Sequence, residues 1–237
     1  WYSFNSLPAP RADGAAAICD GKLYVMSGYH PTASYLKDTM WAFDPANDLW
    51  EIKKKYPAAT CGNIAVGYLN KIYAFGGWYR SNAHMYDPEL NEWVNKANLP
   101  SWRFGACAVL LDDKIHILGG QGSAGITNTH WIYNPANNTY DQTKAQMPGN
   151  RSWGVAAVVN GKIYYIGGYD GSNPQNQVWE YDPIDVWNTK PSTCSYSFYG
   201  AIRENPAYDN KIYVMFGKAA GANFFKYCKK YDPATDT

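Results

Sequence analysis

The sequence predicts an all-β protein built from five similar units, and three recurring features carry this prediction. A short apolar run, opened by a turn residue and lysine and closed by glycine, recurs along the chain and is typical of a buried β-strand. An aromatic-Asp/Asn-Pro triplet follows each copy of this run, and a large aromatic residue follows each of the first four triplets. Because the three features keep the same order, we expect five copies of one supersecondary unit in the 237 residues.

The apolar run is clearest at residues 161–168, with the sequence Gly-Lys-Ile-Tyr-Tyr-Ile-Gly-Gly. Near-copies occupy residues 21–28, 70–77, 113–120 and 210–217. The centre of the run carries Tyr24, Tyr73, His116, Tyr164 and Tyr213 in chain order. We expect these rings to fill the space between neighbouring sheets.

The triplets and the outer aromatic residues keep step with the apolar run. The triplets begin at Phe43, Tyr86, Tyr133, Tyr181 and Tyr231. The outer aromatic residues are Trp50, Trp93, Tyr140 and Trp187. A fifth would fall just beyond the last residue, and the chain begins with Trp1.

A glycine pair, an aromatic-Asp-Pro turn and a tryptophan at a period of about 40 to 50 residues resemble the kelch repeat, a four-stranded blade of a β-propeller. The resemblance covers the whole chain. It implies a kelch-type β-propeller of five four-stranded blades that forms a single domain over residues 1–237. The repeats span approximately residues 1–49, 50–92, 93–139, 140–186 and 187–237. A six-bladed propeller from which one repeat is missing stays open as the alternative.

The first repeat shows the expected order of strands within a blade. Ala15 to Cys19 form the innermost strand, and Asp20-Gly21 is a two-residue hairpin signal. Leu23 to Met26 and Thr39 to Phe43 form the second and third strands, and Trp50 begins the outer strand. The resemblance implies that residues 1–5 close the ring as the outer strand of the last blade. The least regular register is expected around residues 203–208.

Composition and charge restrict the possible partners. A formal net charge of +1 gives no broad electrostatic reason to expect nucleic acid, and no apolar run is long enough to span a membrane. The five cysteines show no metal-binding spacing, which favours free thiols in a reducing compartment. We expect a cytoplasmic chain without a cofactor, with secretion as the open alternative.

Candidate binding residues lie at the end of each blade where connections differ between repeats. The connection between the third and fourth strands barely varies, whereas the connection between the second and third strands varies most. Loops that vary on a rigid frame usually carry specificity. Aromatic and polar residues recur in the variable connections and in the links between blades: Tyr29, His30, Trp78, Tyr79, Arg80, Trp102, Arg103, Phe104, Gln121, Trp153, Tyr169 and Phe198.

Arg11, Arg103 and Arg151 precede the first strand of blades one, three and four. The kelch resemblance implies that this arginine forms hydrogen bonds between neighbouring blades. A ligand-binding role for Arg103 is the second interpretation.

The sequence favours binding over catalysis. It contains no catalytic triad order, phosphate-binding glycine loop or zinc-protease motif. The four histidines are scattered, with His30 and His130 expected in variable loops, His84 on a third strand and His116 in place of a strand tyrosine. The resemblance implies a non-enzymatic module that binds a protein or peptide partner, as the substrate-binding propellers of kelch-like ubiquitin-ligase adaptors do. A carbohydrate or small-molecule site at the axial pocket, as in kelch-like sugar oxidases and sialic-acid isomerases, is the alternative.

Overall fold

The computed structural model describes residues 3–30, 35–191, 201–204, 209–218 and 224–236. The regular secondary structure in these ranges consists of β-strands, without helices. The chain divides into two compact units, Trp1–Phe104 and Gly105–Thr237. A single domain over residues 1–237 stays a prediction.

The first unit contains two antiparallel four-stranded sheets, each in simple meander order. Blade one consists of β1 (Ala15–Cys19), β2 (Lys22–Met26), β3 (Met40–Asp44) and β4 (Leu49–Lys53). Blade two consists of β5 (Ile64–Tyr68), β6 (Lys71–Phe75), β7 (Ala83–Asp87) and β8 (Glu92–Lys96). The strands expected in blade one are therefore confirmed to within one residue.

The second unit contains three further blade sheets and one two-stranded hairpin in the part of the chain that the structure describes. Blade three consists of β9 (Cys107–Leu111), β10 (Lys114–Leu118), β13 (His130–Asn134) and β14 (Thr139–Asp141), and its second connection carries a small hairpin of β11 (Gln121–Gly122) and β12 (Gly125–Ile126). Blade four consists of β15 (Val155–Val159), β16 (Lys162–Ile166), β17 (Val178–Asp182) and β18 (Val186–Lys190). The last sheet contains β19 (Ala201–Glu204), β20 (Ile212–Lys218) and β21 (Phe224–Tyr231).

Each apolar run closes with glycine, as a pair in blades two, three and four, and leads from the second strand into the second connection. Gly77 has a φ of +120°, and a Cβ atom there would lie 2.1 Å from the Thr60 hydroxyl oxygen. Its backbone N–H donates to the Arg103 carbonyl at 2.7 Å. The equivalent bonds run from Gly28 to Thr60 and from Gly120 to Arg151, each at 2.7 Å. Glycine is therefore required because the backbones approach closely in a left-handed conformation.

The aromatic-Asp/Asn-Pro triplet forms the turn between the third and fourth strands. In blade two, the Asp87 carboxylate accepts the Glu89 backbone N–H at 3.0 Å, and the Tyr86 hydroxyl donates to the Asn91 side chain at 2.6 Å. Asn91 has a φ of 54°, a conformation that asparagine tolerates better than most residues. The triplet therefore fixes the turn from both ends.

The outer tryptophan anchors the backbone segment that precedes its blade. Trp93 Nε1 donates to the Lys54 carbonyl at 3.2 Å, and Trp187 Nε1 donates to the Ala145 carbonyl at 3.0 Å. Trp50 makes the same bond to Asn5 at 2.9 Å.

Asn5 is therefore placed relative to blade one as Lys54 is placed relative to blade two. Residues 3–7 form no strand, so the expected outer strand over residues 1–5 is not formed by its described part. Asn5 instead donates its backbone N–H to the Asp48 carboxylate at 2.6 Å. Trp1 lies outside the described residues, and ring closure stays a prediction.

The core of each unit lies between neighbouring sheets. The central tyrosine of one blade meets the triplet tyrosine of the next, with ring centroids 5.9 Å apart for Tyr24 and Tyr86 and for Tyr164 and Tyr231. The inner strands have small residues, such as Ala15 and Ala17, that are almost fully buried. The rings between the sheets match the packing expected from the sequence.

The arginine prediction holds for the backbone of Arg151, whose N–H donates to the Thr127 carbonyl and whose carbonyl accepts the Gly120 N–H of blade three. The guanidinium groups of Arg11 and Arg151 stack on Trp41 and Trp179 of their own blades at 4.6 and 4.4 Å. One detail of the sequence prediction is wrong. His130 lies in no loop, because it begins strand β13 and is fully buried.

Candidate functional site

Three of the predicted binding residues line one cleft in the first unit. Tyr29, Trp78 and Phe104 surround a volume of about 380 Å³. The other residues lining the cleft are Asp13, Tyr35, Leu36 and Cys61. All seven lie at the blade ends from which the second connections leave, where the sequence predicted the variable face.

An aromatic surface of Trp78, Tyr79, Trp102 and Phe104 extends from this cleft. Trp78 packs edge-on against Phe104 with ring centroids 4.7 Å apart and against Tyr79 at 5.2 Å. Tyr79 in turn meets Trp102 at 4.9 Å. Trp78 is 46% exposed and Tyr79 is 68% exposed. Rings that support one another and still face solvent provide a large contact area at a small entropic cost.

The blade framework fixes the position of these rings. The Trp78 backbone N–H, directly after the glycine pair, donates to the Cys61 carbonyl and to the Thr60 hydroxyl, both at 3.0 Å. The Phe104 ring lies over Gly62, where a Cβ atom would come within 2.3 Å of the ring. The absence of a side chain at Gly62 therefore allows Phe104 to form the wall of the cleft.

Tyr29 and Tyr35 form the opposite side of the cleft. Isolated β-bridges join Tyr29 to Ala12 and to Leu36, so that its backbone is held on both sides. Tyr35 is 60% exposed, and the Lys37 ammonium group lies 3.9 Å from the centre of its ring. The chain thus already places one cation on an aromatic face of this wall.

Asp13 provides the negative charge of the cleft. It has a φ of 53° and lies at the position where the link before blade two has Gly62. Partial burial raises the pKa of its carboxyl group, and no cation lies within ion-pair distance of it among the described side chains. Burial, with the nearby Asp13, raises the pKa of the Cys61 thiol to about 11. Cys61 is therefore protonated and unreactive at neutral pH.

The other predicted residues of the first unit lie outside the cleft lining. Arg103 is only 4% exposed, and its Nη1 donates to the Ser101 hydroxyl at 3.1 Å and to the Trp102 carbonyl at 3.0 Å. The burial of Arg103 and its bonds to the adjoining link favour a structural role for this arginine. His30 and Arg80 are half-buried.

The second unit contains Gln121, Trp153 and Tyr169 at the corresponding ends of blades three and four. Gln121 is exposed in β11, whereas Trp153 and Tyr169 are half-buried. The Trp153 ring lies over Gly105, where a Cβ atom would come within 2.7 Å of the ring. Phe198 lies outside the described residues.

The sequence did not identify four of the residues that line the cleft. A comparison of the links would have found Asp13, because the matching position is glycine before blades two and three. Tyr35, Leu36 and Cys61 carry no pattern that marks them as surface residues.

A metal site has no support in the described residues. They contain no group of three or more histidine, cysteine, aspartate or glutamate side chains placed to hold a metal ion. The described part of the chain also has no helix of the length and apolar character needed to cross a membrane.

The profile of the KLHDC2/KLHL20/DRC7 Kelch-repeats domain matches residues 83–217, more than half of the chain. The chain belongs to the kelch-repeat family. The shorter Kelch motif matches residues 10–54 and 65–100, which contain the repeats of the first unit.

Three proteins of known sequence resemble parts of the chain. Mouse Kelch-like protein 35 is 32% identical over 136 residues, which make up 57% of this chain and 23% of that protein. Spermatocyte protein spe-26 of Caenorhabditis elegans is 28% identical over 60% of this chain and 26% of its own length. Beta-scruin of Limulus polyphemus is 25% identical over 59% of this chain and 17% of its own length. The chain thus spans about a quarter or less of these kelch relatives.

A solved structure supports the fold. The structure of YjhT superposes with a TM-score of 0.82 and covers 97% of this chain and 84% of its own chain, at 16% identity. Together with the kelch repeats and the four-stranded meanders, this shows that the fold is a kelch-type β-propeller.

Proposed function

We propose that this kelch propeller is a non-enzymatic recognition module that binds a protein or peptide partner through the cleft and the aromatic surface of the first unit. The observation that carries the proposal is the exposure of Trp78 and Tyr79 beside a cleft with aromatic walls. Tryptophan and tyrosine are enriched among the residues that dominate binding energy at protein interfaces.

The size of the cleft suits a peptide anchor. A volume of about 380 Å³ has room for one or two large side chains. The neighbouring rings of Tyr79 and Trp102 would cover the flanking residues of a bound segment. The existing ring contacts hold this surface in place, so that binding costs little additional order.

The charge of the cleft favours a particular kind of segment. Asp13 has a carboxylate with no nearby cation among the described residues, so a basic group of the partner would pair with it. We therefore propose that the partner carries an apolar or aromatic anchor next to a lysine or arginine. The expected effect of Asp13 is on specificity more than on affinity, because this residue is exposed.

Selection from a peptide library displayed on phage tests the proposal. Selected peptides should be measured against the wild-type chain, Trp78→Ala and Tyr79→Ala by calorimetry. We expect Trp78→Ala to weaken binding by about 2 kcal/mol or more, as is typical of a true anchor. Leu90→Ala is the matched control, because Leu90 is 69% exposed in the turn between β7 and β8 at the other end of the blade.

The selected sequences test the charge of the partner. Enrichment of basic residues that Asp13→Asn abolishes would support pairing with the carboxylate. Peptides that bind Trp78→Ala as tightly as wild type would refute the site. Binding of a glycan panel without any selected peptide would favour the carbohydrate alternative.

A location inside the cell also stays a proposal. Its support is that Cys19, Cys61 and Cys107 are free and buried thiols, as is common in reducing compartments. Cys194 lies outside the described residues.

A further inference from the structure

An ion pair between the second strand and the triplet turn recurs in four of the sheets. The lysine that opens the apolar run lies next to the triplet aspartate. The distances are 3.5 Å for Lys22–Asp44, 2.9 Å for Lys71–Asp87, 3.0 Å for Lys162–Asp182 and 3.3 Å for Lys211–Asp232. The pair is therefore a regular part of the repeat.

Blade three keeps the lysine and loses the carboxylate. Its triplet contains Asn134, which still accepts the Ala136 backbone N–H at 3.1 Å, as Asp87 accepts that of Glu89 at 3.0 Å. The turn is thus preserved, and the change removes only the negative charge. No carboxylate lies within ion-pair distance of Lys114 among the described residues.

The other two recurring positions also change in blade three. His116 replaces the central tyrosine, and Tyr140 replaces the outer tryptophan. His116, Asn134 and Tyr140 all line one cavity of about 450 Å³ in the second unit, together with Lys114 and Lys144. The three departures from the repeat therefore border one cavity, beside a lysine that has lost its partner.

The histidine in the wall of the cavity is neutral and fixed. His116 Nδ1 lies 2.8 Å from His130 Nε2, and His130 Nδ1 lies 3.2 Å from the Ala145 carbonyl. The carbonyl can only accept, so His130 Nδ1–H donates to it, and His130 Nε2 accepts a hydrogen bond from His116 Nδ1–H. Burial, with His130 and Lys114 nearby, lowers the pKa of His116 to about 3. The positive charge of the cavity therefore comes from its lysines.

The cavity also contains two carboxylates. Asp141 Oδ1 accepts both the backbone N–H and the hydroxyl of Thr143, at 2.8 and 2.7 Å. Asp112 belongs to the exposed hairpin between β9 and β10. Neither lies within ion-pair distance of Lys114 or Lys144, so neither replaces the missing triplet aspartate.

We propose that this cavity is a binding site for a small ligand with a carboxylate or phosphate group, which takes the place of the missing aspartate beside Lys114. The Asn134 and Asn137 amides and the Thr139 hydroxyl supply further polar groups in the lining. The site lies at the turn end of the blade, where the connection between the third and fourth strands barely varies between repeats. It is independent of the proposed peptide cleft.

Titration by ¹H–¹⁵N NMR with inorganic phosphate and, separately, with acetate tests the site and distinguishes the two anions. We expect saturable shift changes at residues 114, 134 and 139–141 with at least one of the two probes. Lys114→Met should weaken this binding at least tenfold. Lys71→Met is the matched control, because it removes the same lysine from a blade whose aspartate is present, and it should bind as wild type does.

Asn134→Asp is the decisive variant, because it restores the carboxylate that the other blades carry. It should fold normally, form the internal ion pair with Lys114 and weaken anion binding at least tenfold. Unchanged binding in Asn134→Asp, or the absence of saturable shifts with both probes, would overturn the proposal.

Discussion

Blade two and blade three have the same strand order and similar turns, but they use the recurring positions differently. Blade two has Tyr73, Asp87 and Trp93, and each of these side chains contacts the framework. Blade three has His116, Asn134 and Tyr140, and these side chains border an open cavity. Because each repeat is also stabilised by its neighbours, a residue at one of these recurring positions can be replaced without loss of the fold.

The comparison also separates two kinds of surface. The cleft of the first unit is lined by residues of irregular connections, whereas the cavity of blade three is lined by three substituted positions of the repeat itself. The cleft depends on the length of connecting loops, and the cavity depends on the identity of single residues. Loop residues can be replaced without altering the packing between sheets, whereas replacing the residues of the cavity alters that packing.

The largest expected effect comes from the outer aromatic residues. Trp93 meets Tyr56 and Tyr86 with centroids 5.0 Å apart and donates to the Lys54 carbonyl. Trp93→Ala should lower the free energy of unfolding by about 3 kcal/mol, because it removes these contacts and leaves a cavity. Tyr140→Ala should lower the free energy of unfolding by less, because the Tyr140 side chain already borders a cavity. Urea unfolding followed by circular dichroism measures both, and equal losses would contradict the difference between the blades.

The second effect is the acid sensitivity of blade three. Burial lowers the pKa of His116 to about 3 and that of His130 to about 4, below the ordinary value near 6.5. The unfolded chain therefore binds more protons, and stability is lost as the pH falls from about 6.5 towards these values. Between pH 7 and 5 the loss should approach about 2 kcal/mol for each histidine.

The variant His116→Tyr, which restores the residue of the other blades, should reduce this loss by about half in urea unfolding at several pH values. Buried His84 of blade two also has a lowered pKa, and it contributes equally to the wild type and the variant. The difference between their pH profiles therefore measures the contribution of blade three. An identical pH profile for wild type and variant would remove the histidine pair as its cause.

The smallest effect concerns the repeated ion pair. The hydrogen bond from Lys71 lowers the pKa of the Asp87 carboxyl group, so the pair stabilises above the ordinary aspartate pKa and is lost as the pH falls through the lowered value. Asp87→Asn should therefore lower the urea midpoint slightly at pH 7 and not at all in strong acid. Asn134→Asp should raise the midpoint at pH 7 by a similar amount. A loss in the first variant without a gain in the second would mean that Lys114 is placed differently from Lys71.

Much of the fold could be predicted because the repeat has physical causes that a sequence displays. Glycine pairs are required where Gly76 and Gly77 have positive φ, and Asn160-Gly161 suits the tight hairpin with φ values of 50° and 72°. The triplet marks a turn because its tyrosine and aspartate bind the turn residues directly. The N-terminal strand was predicted from the kelch resemblance and the position of Trp1, and that argument did not anticipate the bonds of Asn5 to Asp48 and Trp50.

The candidate sites could be predicted only in part. Tyr29, Trp78 and Phe104 were found because aromatic residues stand out in variable links. Arg103 was predicted in the same way, yet its burial depends on the packing around it, which the link sequence does not contain. The marker changes at His116, Asn134 and Tyr140 are visible in the sequence, but nothing in their spacing says that they border one cavity.

The sequence by itself determined the repeat, the strands within each blade and the end of the blade where aromatic residues gather, because these depend on local backbone geometry and on periodic burial. Only the tertiary structure decided which rings form the wall of a cleft, which arginines are buried and where a lysine has lost its carboxylate. Those properties depend on distances between residues far apart in the chain, and strand register and sheet packing set such distances.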